Sequence, residues 1–147
     1  MAAYTIKPLV TAIAHNTGGR NGHSETTDHS VSVNLSVRKE MGGPGLSNTT
    51  TPEHLFAAGY AACFGGALEF VAKQRKKDVS GAVVTCHTSV GPREGGGFGI
   101  AVKMHVKVPR LPTAEALALA QETHANICPY SHATRGNIEF ALEAEGA

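Results

Sequence analysis

Net charge is nearly missing from this chain: thirteen Lys and Arg against twelve Asp and Glu leave +1. No basic block is present either, so an electrostatic nucleic-acid binder is excluded. No uninterrupted apolar run approaches the ~18 residues of a membrane span. The N-terminal MAAYTIKPLV lacks a charged stretch leading into an apolar one. The expectation is therefore a cytoplasmic protein with no membrane partner. Cysteine is scarce: there are three, which cannot all pair, and none stands in a CxxC motif. A thioredoxin-like site is unsupported. Eight histidines are scattered, none at zinc-finger spacing from a cysteine, so no metal is expected. Internal repeats, long charge runs and linkers are also lacking. With 147 residues, 41% hydrophobic and 17% charged, the chain reads as a single domain over 1–147. A domain of that length buries roughly 68–70% of its unfolded surface and needs no disulfide staples.

Glycine, by contrast, is abundant, and it falls at turns: Thr17-Gly18-Gly19-Arg20-Asn21-Gly22, Met41-Gly42-Gly43-Pro44-Gly45 and Gly91-Pro92-Arg93-Glu94-Gly95-Gly96-Gly97. Between them, period-2 alternation predicts strands. These cover 9–14 (starting at Pro8), 31–38, 82–90, 100–108 and the stretch around Ile138, Phe140 and Leu142. The third and fourth form a hairpin across the Gly-rich loop. A helix is predicted from Thr51 to about Gln74, with Thr51 as N-cap, Pro52 at the first helical position and Glu53 on the positive end of the dipole. Its Gly59, Gly65 and Gly66 each cost about 0.5–1 kcal/mol relative to Ala, which implies a buried helix packed closely against other backbone. A second helix runs from Thr113 to about Ile127, ended by Pro129. The order of elements is that of an α+β domain.

Cys63 lies within the first helix, where a free thiol serves either as a small buried hydrophobe or as a nucleophile. Cys86, mid-strand on an apolar face, reads as core filler. Cys128, at a helix end before Pro129, fits filler and redox roles equally. A thiol with a pKa of ~8.5 needs a nearby cation to ionise at neutral pH. Arg20, in its Gly-rich turn, is a candidate for that cation, and Glu53 could hold the guanidinium in a fork. Taken alone, Arg20 also fits a solvent-facing turn residue and Glu53 a helix-dipole carboxylate.

The stretch Thr51-Pro52-Glu53-His54-Leu55-Phe56-Ala57-Ala58-Gly59-Tyr60-Ala61-Ala62-Cys63-Phe64 resembles the signature of the organic hydroperoxide resistance (Ohr) proteins of the Ohr/OsmC superfamily. So do Asn126-Ile127-Cys128-Pro129-Tyr130-Ser131, Ala133-Thr134-Arg135-Gly136-Asn137-Ile138 and the Thr17-Gly18-Gly19-Arg20 turn. The resemblance spans nearly the whole chain. It implies the Ohr/OsmC-like α+β fold, with antiparallel sheets packed around a central buried helix in an intertwined homodimer. It further implies a thiol-dependent peroxidase acting on alkyl or lipid hydroperoxides. Cys63 would become a sulfenic acid and release an alcohol, and Cys128 would resolve it as an intramolecular disulfide. Arg20 would stabilise the thiolate and Glu53 would orient Arg20. The reductant would be dihydrolipoamide or a lipoylated protein, with no bound cofactor or metal. Leu55, Phe56, Tyr60 and Phe64, close to Cys63 in sequence, would suit an apolar substrate. Three positions depart from the pattern: Pro8 in the first strand, His54 where Gln is common, and Asn21 where an acidic residue is common.

Two other functions remain compatible with these residues. One is the OsmC branch of the superfamily, with the same two-cysteine chemistry. The other is a non-catalytic redox-sensing or ligand-binding protein, against which Arg20 and Glu53 argue because a filler cysteine needs neither.

Overall fold

Strand pairing begins at Ala14 rather than Leu9. The computed structural model describes residues 3–147, and the chain divides into two units, Met1–Pro52 and Glu53–Ala147, where the sequence predicts one domain. The first unit holds an antiparallel sheet of β1 (Ala14–Thr17), β2 (His23–Thr26) and β3 (Ser32–Asn34) in that order. The strand expected over 9–14 does not form. Leu9 and Val10 are 96% and 91% exposed and pair with no strand among the described residues. The strand expected over 31–38 shortens to β3, because β2 starts at His23, which faces Asn34; beyond it Leu35 forms a parallel bridge with Thr50 and Ser36 N–H donates to Thr50 C=O at 3.2 Å.

The glycine turn between β1 and β2 is a single 3₁₀ turn, Gly19–Asn21. Gly18 and Gly19 take φ of +84° and +62°, a region that costs other residues steric strain. The Asn16 side chain closes the turn at both ends of its amide, accepting from Gly19 N–H at 2.8 Å and donating to Gly19 C=O at 3.1 Å. Asn21 Oδ1 accepts from Val37 N–H at 2.9 Å, so this departure from the family pattern anchors the turn that carries Arg20.

The second unit contains α1 (Pro52–Gln74), β4 (Val83–Pro92), β5 (Phe98–Lys107), α2 (Thr113–Glu122), α3 (Pro129–Thr134) and β6 (Glu139–Glu145). β4 and β5 form the expected hairpin, with Pro92 opposite Phe98. β6 lies parallel to β5, so the sheet β4-β5-β6 is mixed rather than wholly antiparallel. Parallel neighbours require a crossover, and α2 and α3 lie within it. The residues between these helices, Thr123–Ile127, form a π-turn where a continuous helix was expected.

Tyr60, Phe64, Leu68 and Val71 of α1 are buried among Val102, Met104 and Val106 of β5 and Ala116 and Ala120 of α2. Each such aliphatic or aromatic side chain stabilises the fold by roughly 1.5–3 kcal/mol. The opposite face of α1, with Ala58, Ala62, Gly66 and Phe70, is exposed, so the helix is buried on one side only. Core side chains of β5 and α2 cover just that side. A Cβ on Gly66 would meet nothing within 4 Å and one on Gly65 only Val84 at 3.8 Å, so close packing accounts for neither. At Gly59 the packing is close: a Cβ there would stand 3.2 Å from Tyr130 Oη. Averaged over 18 residues, α1 reaches a mean hydropathy of 1.5, enough for a membrane span by length and composition, though no single apolar run is that long; a third of that window is buried inside the protein.

Candidate active site

Cys128 sits at a hinge. It ends the π-turn and caps α3, with Pro129 at the first helical position. Its φ of −65° and ψ of 118° are the extended values that a following proline imposes. Its N–H donates to Thr123 C=O and its C=O accepts from His132 N–H, both at 3.0 Å, so both helical segments grip its backbone. Cys63 comes from α1, three residues beyond Tyr60. The two thiols, both reduced, stand with Cys128 Sγ–H donating to Cys63 Sγ at 3.8 Å. A disulfide bond is about 2.05 Å long, so a small approach closes the pair.

Cys128 is fully buried and Cys63 half-buried. Burial pushes the Cys63 thiol up from its ordinary value, the Tyr130 backbone N–H pulls it down, and neighbouring Cys128 raises it further. The net direction is upward, which favours the thiol over the thiolate.

The elements that carry the two thiols also carry an aromatic cluster, Phe56 and Tyr60 on α1 and Tyr130 on α3. Phe56 meets Tyr60 edge-on with centroids 5.8 Å apart, and Tyr130 lies 6.0 Å from Phe56 and 5.6 Å from Tyr60. Gly59 permits this, since any larger residue would press on the Tyr130 ring. Beside Phe56 opens a cavity of about 930 Å³, lined by Phe56, Phe98, Ile100 and Ile138, with Arg93 and Glu94 among its polar residues. Below the aromatics runs a set of buried hydroxyls. Tyr60 Oη lies 3.0 Å from Ser131 Oγ and 3.1 Å from Thr134 Oγ1, and Ser131 Oγ lies 2.9 Å from His124 Nδ1. No buried side-chain nitrogen or oxygen among the described residues lacks a partner.

The structure thus brings together Cys63 and Cys128. Arg20 is exposed in the β1–β2 turn of the first unit, and Glu53 is half-buried in the first turn of α1. Leu55 and Phe56 are half-buried, but Tyr60 and Phe64, expected to face a substrate, are fully buried. At helical spacing their positions fall on the core stripe with Leu68 and Val71, which corrects their assignment as substrate-facing residues. Cys86 is half-buried on β4, 3.6 Å from Thr88 Oγ1, and takes no part in the thiol pair. Sequence reasoning missed Tyr130, Ser131, Thr134 and His124. In the sequence Pro129 marks the end of the preceding helix. Read also as a first helical position, it places Ser131 and Thr134 on one face of a new helix. No group of three or more His, Cys, Asp or Glu side chains among the described residues could hold a metal ion.

Fold and site together define an α+β dithiol protein. The OsmC-like protein family model matches residues 43–143. The organic hydroperoxide resistance protein of Xanthomonas axonopodis pv. citri is 47% identical over 137 residues, covering 92% of this chain and 94% of the relative. The crystal structure of an organic hydroperoxide resistance protein from Elizabethkingia anophelis superposes with a TM-score of 0.89 at 40% identity, covering 97% of this chain and 100% of that one. OhrB of Bacillus subtilis gives a TM-score of 0.85 at 39% identity, covering 94% and 100%. The chain belongs to the OsmC-like family and has the Ohr/OsmC fold.

Proposed function

We propose that this protein is a thiol-dependent peroxidase that reduces organic hydroperoxides to alcohols. The observation that carries the reading is the 3.8 Å separation of Cys63 Sγ and Cys128 Sγ, across 65 residues of sequence. In the first step the Cys63 thiolate attacks a peroxide oxygen. The O–O bond breaks, the alkoxide leaves and takes a proton to become the alcohol, and Cys63 becomes a sulfenic acid. In the second step Cys128 attacks the Cys63 sulfur and water leaves, giving the disulfide. A dihydrolipoyl dithiol then reduces the disulfide by thiol exchange and is itself oxidised to the cyclic disulfide.

Burial raises the Cys63 thiol, so the first step needs a cation to reverse that shift. Arg20 is the residue proposed for it, with Glu53 holding the guanidinium; the same cation would polarise the peroxide. No bound metal or prosthetic group takes part. Half-buried Leu55 and Phe56, together with Tyr130 and the cavity beside Phe56, favour an alkyl or lipid chain over hydrogen peroxide. The exposed face of α1, small and apolar from Ala58 through Ala62 and Gly66 to Phe70, supports the expected homodimer. A reducing cytoplasm would keep the thiols ready between turnovers.

The test compares wild type with Cys63→Ser and Cys128→Ser, using cumene hydroperoxide and dihydrolipoamide. Cys63→Ser abolishes turnover, and Cys128→Ser accumulates oxygen additions on Cys63 by intact-protein mass spectrometry. Oxidised wild type carries a Cys63–Cys128 disulfide. Undiminished turnover in Cys63→Ser would sink the proposal.

A further inference from the structure

On the reading of Cys63 and Cys128 as attacking and resolving thiols, we infer that the buried hydroxyls of Tyr60, Ser131 and Thr134, tied to His124, are a positioning device. They hold Cys128 against Cys63 for the step that forms the disulfide.

Cys63 follows Tyr60 by three residues on α1, and Ser131 follows Cys128 by three residues on α3. Three residues are nearly one helical turn, a rise of about 4.5 Å. The Tyr60–Ser131 hydrogen bond of 3.0 Å therefore ties α1 to α3 about one turn away from the sulfur pair on each helix. Any slide or splay of one helix against the other moves both contacts together.

The tie is closed on the far side of Cys128 as well. His124, from the π-turn before it, reaches across to Ser131 in the helix after it at 2.9 Å. Arg135 Nη1, just beyond α3, donates back to His124 C=O at 2.7 Å. Thr134 Oγ1, bonded to Tyr60, also donates to Tyr130 C=O at 2.8 Å. The segments on both sides of Cys128 are thus fastened to each other and to α1. A hinge between a π-turn and a six-residue helix has little stiffness of its own, and these bonds supply it.

The chemistry requires that stiffness. Cys63 sulfenic acid has two fates: attack by Cys128, or a second oxidation to sulfinic acid by another hydroperoxide molecule. In the first, the new S–S bond replaces the S–OH bond, and the hydroxyl leaves with the Cys128 proton as water. The sulfurs need to close from 3.8 Å to about 2.05 Å. An error of 1 Å in placing reacting groups can slow a step by about 10²-fold. The partition between disulfide and sulfinic acid therefore reads how well Cys128 is placed.

Tyr60→Phe cuts the tie with little other damage. The ring keeps its contacts with Phe56, Tyr130 and Phe140. Ser131 keeps His124, and Thr134 keeps the Tyr130 carbonyl, so no buried group is orphaned. Reduced proteins are treated with rising cumene hydroperoxide, and mass spectrometry counts Cys63–Cys128 disulfide against Cys63 sulfinic acid. Tyr60→Phe is expected to lower the disulfide-to-sulfinate ratio about tenfold. Ser131→Ala, which leaves the Tyr60–Thr134 bond and breaks the one to His124, also lowers the ratio, and the double variant falls short of the product of the two because both remove the Tyr60–Ser131 bond. A wild-type ratio in both single variants overturns the inference, as do effects that multiply in the double variant. Should Tyr60→Phe fail to fold, Ser131→Ala decides alone. A wild-type protein that forms no Cys63–Cys128 disulfide overturns the peroxidase reading itself, a failure distinct from an unchanged ratio.

Discussion

The imidazole of His124 lies flat on the ring of Phe140, with centroids 4.0 Å apart and planes within 5°. Burial lowers its pKa below the ordinary histidine value of 6.5, and the charges of Arg135 and His132 lower it further. In the folded protein His124 is the weaker base, so between that lowered value and 6.5 the unfolded chain binds the proton and the folded chain does not. Stability is then full above pH 6.5 and falls as the pH drops toward the lowered value. The thermal midpoint of wild type should decline over that acid window. His124→Asn, which keeps a hydrogen-bonding atom near Nδ1, should be less stable at neutral pH by about 0.5–1.5 kcal/mol for the lost ring stack, with a flatter acid limb. Parallel limbs in the two proteins would show that His124 is not the group responsible.

Arg20→Ala tests the proposed activation of the nucleophile. Burial already pushes the Cys63 thiol up, and loss of the cation proposed to oppose that shift would leave it higher still. The rate of Cys63 alkylation by iodoacetamide, followed against pH in a Cys86→Ser/Cys128→Ser background, should inflect at higher pH in the arginine variant. Peroxide turnover at neutral pH should fall with it. Identical profiles would remove Arg20 from the mechanism.

Gly59 is a sharper structural test than the other helix glycines. Replacement by Ala should gain about 0.5–1 kcal/mol of helix stability. That gain is opposed by a Cβ placed 3.2 Å from Tyr130 Oη and 3.4 Å from Cε2. Gly66→Ala meets nothing within 4 Å and should give the full gain in the monomer. Urea unfolding should therefore rank Gly66→Ala above Gly59→Ala by a few tenths of a kcal/mol or more. The reverse order would mean that the exposed face of α1 is covered in solution, since Ala at 66 would then press on whatever lies there.

Cys86→Ser should retain wild-type turnover, because this thiol stands apart on β4. Its half-buried position makes a polar hydroxyl unwelcome, with a cost of about 1 kcal/mol, and Thr88 Oγ1 nearby gives the new hydroxyl a partner. Folded protein with lost turnover would contradict the spectator role.

The start of α1 could be read from the chain, since Thr51, Pro52 and Glu53 each mark a helix start by a separate mechanism. β4 and β5 could be read because ten-residue strands with one buried face show long alternation. Leu9 and Val10 show why a short apolar run is ambiguous: alternation reports a face, not a partner strand. The parallel seating of β6 was hidden for the same reason. An apolar helix surface likewise does not say whether sheet, second chain or nothing covers it, so the open face of α1 was read as buried. The meeting of Cys63 with Cys128 rested on family resemblance alone, for no local rule joins residues 65 apart. The Tyr60–Ser131–His124 hydrogen bonds were invisible because each is an ordinary residue until the π-turn and α3 fold back on α1.

The parallel pairing of β5 and β6 also bears on the order of assembly. A hairpin such as β4–β5 closes through a short loop, whereas β6 docks only after the whole stretch holding α2, the π-turn and α3 has crossed over. Cys128 travels in that stretch. Cys63 stands 65 residues ahead of its partner, and the reactive pair exists only once that stretch has packed back on α1. Until then Cys63 is a solitary thiol.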